Sequence, residues 1–136
     1  MSLNTYLTFG GTCREAMSFY AECLGVELEM IAPFAGTPAE AEVLPEWRDK
    51  IMHASLRYNG VALMASDGMG PGAVAHQGFS ISVQATSIDD AERLFAALGA
   101  GGTVTMPLEE TFWAIRFGVL TDRFGVSWMI NLDRPM

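Results

Sequence analysis

Cationic side chains are scarce in this sequence. Eight Lys and Arg stand against sixteen Asp and Glu, for a net charge of −8 at neutral pH. With no long basic stripe, the chain lacks an electrostatic footprint for nucleic acid or an anionic membrane, and the acidic balance reads as a solubilising surface. Cysteine is scarcer still. Cys13 and Cys23 fall in one helical stretch, too far apart for a C-x-x-C redox pair or a zinc knuckle, and are expected to be buried thiols. No apolar run approaches the roughly 20 residues that cross a bilayer. The opening MSLNTYLTFGG lacks the basic start and apolar block of a signal peptide, so a cytoplasmic location is expected. Also missing are a G-x-S-x-G elbow, a Walker loop and a G-x-G-x-x-G turn. What is present is a hydrophobic half of the 136 residues, enough for one domain that buries about two-thirds of its unfolded surface.

The clearest pattern lies near the end, in FWAIRFGVLTDRFGVSWMIN, Phe112 to Asn131. A period of two puts Trp113, Ile115, Phe117 and Val119 on one face and Ala114, Arg116 and Gly118 on the other. Asp122-Arg123-Phe124-Gly125 supplies a turn. Beyond it Val126, Trp128 and Ile130 continue the ring-rich face, and Ser127, Met129 and Asn131 continue the second. The first face is expected to be a core wall and the second to line a binding cleft.

Earlier in the chain, Leu3 to Phe9 alternates as a strand, with Asn4, Tyr6 and Thr8 opposite its apolar side. Gly10-Gly11 breaks it, and Thr12-Cys13-Arg14-Glu15 has the form of a capping box. A helix follows, with Cys13, Ala16, Met17, Tyr20 and Leu24 at helical spacing and Gly25 as its stop. Val26 to Ala32 is a second strand. From Pro33 to Asp49 the pattern dissolves around Trp47 into an excursion with one helical turn, Pro38 to Val43. Trp47 has two readings there, closing over a cleft or packing on a dimer mate. Ile51 to Tyr58 and Val61 to Asp67 form a hairpin on Asn59-Gly60, whose register puts His53, Ser55, Arg57, Ala62, Met64 and Ser66 on one face.

The second half repeats the first. Gly78 to Ala85 reads as a strand, Ser87-Ile88-Asp89-Asp90 as a cap, and Ile88, Ala91, Leu94, Phe95 and Leu98 as a helix stripe. Thr103 to Leu108 is the next strand, and its TVTMPL matches the EMIAPF of Glu29 to Phe34. This is an internal duplication of strand, helix, strand, strand, strand. Module 1 spans about 1–68 and module 2 about 76–136, within one domain of residues 1–136.

A doubled βαβββ unit carrying FGGTCREAMSFYAECLG, KIMHASLRYNGVALMASDG, HQGFSISV and ETFWAIRFGVLTDRFGVSWMIN resembles the vicinal oxygen chelate superfamily, and within it the PhnB-like branch. The resemblance implies an α+β fold: a curved mixed sheet, helices outside, a concave glyoxalase-like cleft, and a homodimer. It would send Trp113, Phe117, Trp128 and Ile130 under the helices and Arg116, Ser127, Met129 and Asn131 into the cleft. Members of the branch have carried a demethylubiquinone methyltransferase label. No Gly-rich strand-to-helix turn for a methyl-donor nucleotide is evident, and that activity is not expected.

Metal-dependent members hold one divalent ion through four strand positions, which fall here near Asn4, at Met64, near Gly78 and at Met129. None is a His or carboxylate, and a thioether suits a hard or borderline ion poorly. A two-residue slip recovers only Tyr6, Ser66 and His76. No cofactor is therefore expected, with a divalent metal held by His53 and His76 as the weaker alternative, helped by Asp67 and Glu109 or Glu110. The expected function is binding of a small organic ligand by a homodimer. Arg116, Asn131, His53 and Ser55 would be the polar contacts, Met64 and Met129 an adaptable floor, and Phe112 a stacking ring. Arg116 could instead pair with Glu109 or Glu110, and Asp67 could simply cap a turn. The alternatives are a lyase, isomerase or dioxygenase using a metal or a His53–Asp67 acid–base pair, and a non-catalytic regulatory or interaction dimer.

Overall fold

Alternation along the strands and the two helical stripes produce the same small architecture twice. The computed structural model describes residues 3–72 and 74–135. The chain divides into two units, Met1–Val74 and Ala75–Met136. The first contains β1 (Thr5–Thr8), α1 (Cys13–Leu24), β2 (Leu28–Pro33), β3 (Ile51–Tyr58) and β4 (Val61–Ser66); the second contains β5 (Ile81–Gln84), α2 (Ile88–Gly99), β6 (Thr103–Glu109), β7 (Ala114–Thr121) and β8 (Ser127–Asp133). Each forms one four-stranded sheet, ordered β1-β4-β3-β2 and β5-β8-β7-β6, with the first pair parallel and the others antiparallel. The α+β fold and its tandem modules are thus as expected.

In the first unit α1 buries Cys13, Ala16, Met17, Tyr20 and Leu24 and stops at Gly25, whose φ of 72° is cheap only for glycine. Asn59 and Gly60 take φ of 51° and 81°, the hairpin turn expected of them, and pair Leu56 with Leu63 and Ala54 with Ala65 beneath the helix.

The two helices begin differently. Ser87 caps α2 by accepting the Asp90 N–H at 3.0 Å, while the Asp90 carboxylate accepts the N–H of Thr86. That backbone bond, more than the Arg93 partner, holds the Asp90 carboxyl below the usual range. Thr12 also stands at the cap position of α1, but its hydroxyl makes no capping bond. The capping box expected there is replaced by the buried carboxylate of Asp67. Its Oδ1 accepts from the N–H of Gly11 and Cys13, each at 2.9 Å, and its Oδ2 from the N–H of Ile51 at 2.8 Å.

The face assignment of β7 is reversed relative to the sequence reading. Gly118 and Leu120 pair with Ile130 and Trp128, both fully buried, and a Cβ at Gly118 would lie 2.6 Å from the Phe95 ring of α2. Gly118 and Leu120 therefore lie under the helix, and Arg116, paired with Leu132, shares their parity. Phe117 and Val119 pair with Asn131 and Met129 on the opposite, open face. Size complementarity decided it. The helix supplies the bulky Leu94, Phe95 and Leu98, so the strand beneath supplies small residues.

The excursion after β2 is packed internally. It holds two 3₁₀ turns, Pro38–Glu42 and Pro45–Trp47, around a small core of Phe34, Val43 and Trp47. Trp47 is buried and donates its indole N–H to the Gly68 carbonyl at 2.9 Å, so within this unit it anchors the excursion.

The duplication extends to the ladders. In one sheet Tyr6, Met64, Ser55 and Met30 form a row across the strands; in the other Ser82, Met129, Val119 and Met106 form the same row. Each edge strand is bulged at the same place, between Leu28 and Met30 and between Val104 and Met106. The ladders thus match Met30 with Met106, two residues away from the TVTMPL–EMIAPF match in letters.

Removing the Asp67 carboxylate leaves three N–H groups without their acceptor, so Asp67→Ala is expected to cost about 3 kcal/mol, read from urea unfolding. Gly118→Ala forces a methyl to within 2.9 Å of the Leu108 backbone as well as onto Phe95. Its expected cost is about 1–3 kcal/mol in the same assay.

Candidate functional site

In each unit, the sheet face away from the helix gathers the candidate side chains. On the first sheet, register places Tyr6, Thr8, His53, Ser55, Arg57, Met64 and Ser66 there. Tyr6 and His53 meet across it. The phenol oxygen lies 3.1 Å from His53 Nδ1, and the ring centroids are 5.6 Å apart. Arg57 is committed to Glu29 at 3.2 Å and to the Gly60 carbonyl.

Asp67 is not the partner of His53. Its carboxylate is spent on the β1–α1 turn and the start of β3, so the proposed His53–Asp67 pair is replaced geometrically by His53 and Tyr6. The turn-capping alternative was the right one for Asp67.

On the second sheet three rows cross the open face. One runs Gln84, Asn131, Phe117, Glu109; the next Ser82, Met129, Val119, Met106; and the third includes Ser127 and Thr121. Ser80 and Ser127 share a hydrogen bond of 2.6 Å. Asn131 donates to Gln84 Oε1 at 3.0 Å and to Asp133 Oδ1 at 2.5 Å. The Trp113 ring, expected in the core, is 46% exposed and meets Phe117 at 5.4 Å between centroids. Phe112, 90% exposed, stands edge-on to Trp113 at 4.8 Å.

Arg116 does not join this face. It lies on the helix-side parity, half-buried, and its Nη1 donates to the Ile115 carbonyl at 2.7 Å. The acid that pairs nearby is Glu110, whose partner is Arg134 at 2.6 Å; that guanidinium holds the Glu110 carboxyl below its ordinary range. The structure therefore brings together Asn131, Met129 and, through Trp113, Phe112 on one sheet, and His53, Ser55 and Met64 on the other. Gln84, Met106 and Phe117 were not read as site residues; Trp113 was weighed as a stacking ring and assigned to the core, and Tyr6 was considered only as a slipped metal position. Gly118 was the available signal for Phe117, since glycine at one parity of a strand marks where a helix presses closest.

The positions where relatives hold a divalent ion offer thioethers at Met64 and Met129, and an Asn4 amide oxygen already accepting from the Ala62 N–H at 3.3 Å. These donors do not fit a hard or borderline ion. His53 and His76 fall in different units. Among the described residues no three of His, Cys, Asp and Glu are grouped to hold a metal. No helix among them is long and apolar enough to cross a membrane.

Two βαβββ units, each a mixed four-stranded sheet with one helix, define the vicinal oxygen chelate class of fold. Glyoxalase-related and fosfomycin-resistance proteins share it at 17% and 10% identity, with TM-scores of 0.58 and 0.64, a likeness of fold alone. A family model described as 3-demethylubiquinone-9 3-methyltransferase matches residues 1–131, and the chain belongs to that PhnB-like family. Protein PA1353 from Pseudomonas aeruginosa is 47% identical, with 99% of each chain covered and a TM-score of 0.89. Protein YjdN from Escherichia coli is 37% identical over 140 residues, covering 97% of this chain and 95% of that protein. A PhnB protein from Bacillus cereus is 25% identical, covering 97% and 99% of the two chains, with a TM-score of 0.79.

Both cysteines are buried and neither is in a disulfide. Burial, and then the negative charge of Asp67, push the Cys13 thiol from 9.0 up to about 12. An unfolded chain ionises this thiol first, so stability contributed below pH 9 is lost as pH rises from about 9 toward about 12. Urea midpoints should fall across that window, and Cys13→Ala should flatten the fall.

Proposed function

We propose that this protein binds a small organic molecule on the open face of its second sheet without the usual divalent ion, acting as a cytoplasmic homodimer. The observation that carries the reading is the ring-and-thioether surface of the second sheet. Met106 and Trp113 are each 46% exposed and Phe117, Val119 and Met129 are half-buried, with polar groups confined to its borders. Apolar area left in water costs roughly 25 cal/mol per Å², which a flat ligand recovers on binding. The donor chemistry at Asn4, Met64, Gly78 and Met129 supports the metal-free form of the reading. The methyltransferase description of the family is not carried over: the Gly10-Gly11 turn ahead of α1 is already committed to Asp67.

A second reading rests on the Tyr6–His53 contact. A hydroxyl and an imidazole sharing one hydrogen bond on an open face form an acid–base pair, as proton abstraction by a lyase or isomerase would need.

A thermal-shift panel of small aromatic compounds separates these. Binding predicts stabilisation of several degrees at saturating ligand without product, unchanged by exhaustive chelation. Met129→Glu is expected to weaken it about tenfold. Loss of the shift on chelation would refute the metal-free reading. Turnover abolished by both His53→Gln and Tyr6→Phe would replace binding with catalysis.

A further inference from the structure

Asn131 is 8% exposed, and its Oδ1 is sealed from solvent with no hydrogen-bond partner among the described residues. Chemistry fixes which amide atom this is. The carboxylate of Asp133 can only accept, so the atom facing it at 2.5 Å is the nitrogen, and the second amide hydrogen goes to Gln84 Oε1. Both hydrogens are used and the carbonyl oxygen is left over. A buried acceptor without a donor is uncommon in folded proteins and calls for an explanation.

Its surroundings supply one. Asn131 pairs across the ladder with Phe117, and Met129 and Val119 lie one row along the same open face. Met129 is an unbranched, soft side chain able to move aside and to lie against a ring. An anionic ligand fits badly here, because it would bring acceptors toward an acceptor and toward Asp133. A donor fits.

We infer that Asn131 Oδ1 selects the ligand: a flat ring bearing one N–H or O–H donor, the donor reaching Oδ1 and the ring lying against Phe117 and Met129. This rests on the binding reading above and adds the chemistry of what is bound.

Matched probes test it. Indole against 1-methylindole, and phenol against anisole, differ by a single donor hydrogen. Wild-type protein is expected to bind the donor member of at least one pair about tenfold more tightly, by calorimetry, and the pair that discriminates separates N–H from O–H ligands. Asn131→Leu should bring the two members level while raising the Tm of the free protein, since it removes the unpaired acceptor and leaves Gln84 and Asp133 to water. A measurement without any variant uses protein labelled at asparagine, of which there are three, Asn4, Asn59 and Asn131. The Asn131 side-chain carbonyl resonance should move with the donor member and stay in place with its methylated twin. Equal binding of both members of each pair overturns the inference and leaves the binding function standing. So does failure of all four probes while other compounds in the thermal panel bind. If nothing in either set binds, the functional reading itself falls, and the inference with it.

Discussion

A single buried carboxylate organises the first unit. Asp67 follows β4, and its two oxygens reach the turn after β1, the first residue of α1 and the first residue of β3. Two parts of the chain, the entry to α1 and the start of β3, are thereby tied to one strand end. Taking a carboxylate out of water is costly, and charge-assisted bonds to backbone N–H groups are what make it tolerable. The second unit begins its helix without one, and its own buried carboxylate, Asp122, serves the β7–β8 turn and the Trp128 indole instead. Its helix is capped locally by Ser87 and Asp90, and the ladder position matching Asp67 is held by Leu132. Two helices of 12 residues each are thus begun by different chemistry on the same architecture.

The same trade between local and distant partners shapes β7. Placing Gly118 under Phe95 lets α2 settle close to its sheet, and the price is that every large side chain of the strand's other parity faces away from the helix. An open face carrying Phe117 and Val119 is then a consequence of how the helix packs. The rings of Phe112 and Trp113 extend that surface beyond the strand. Packing on one side of the sheet and recognition on the other are set by one alternation.

Features fixed by neighbours in sequence were legible in the letters. Asn59-Gly60 declared its hairpin, Gly25 its helix stop, and Ser87 its cap, because each acts within a few residues. The doubled order of elements was legible for the same reason, and the face carrying His53, Ser55 and Met64 followed from one turn. What depended on partners across space was not. Thr12 had the right spacing for a cap and lost it to a carboxylate more than fifty residues on. Arg116 looked like a ligand contact only while Trp113 and Phe117 were assigned to the core, an assignment based on size that ignored the bulk already present on α2. Trp47 read as closing over a cleft or packing on a dimer mate, and within its own unit it is buried and bonded to the Gly68 carbonyl.

The matched bulges of β2 and β6 bear on how this chain came to be. A bulge needs one extra residue in a strand together with a partner strand that accommodates it, so it is hard to acquire twice at one spot by drift. Side chains around it have diverged so far that the best match of letters is two positions out of step with the pairing. The memory of a half-length ancestor therefore survives in the backbone's hydrogen bonding after the side chains have lost it, and kinship between such halves is better traced through ladders than through spelling.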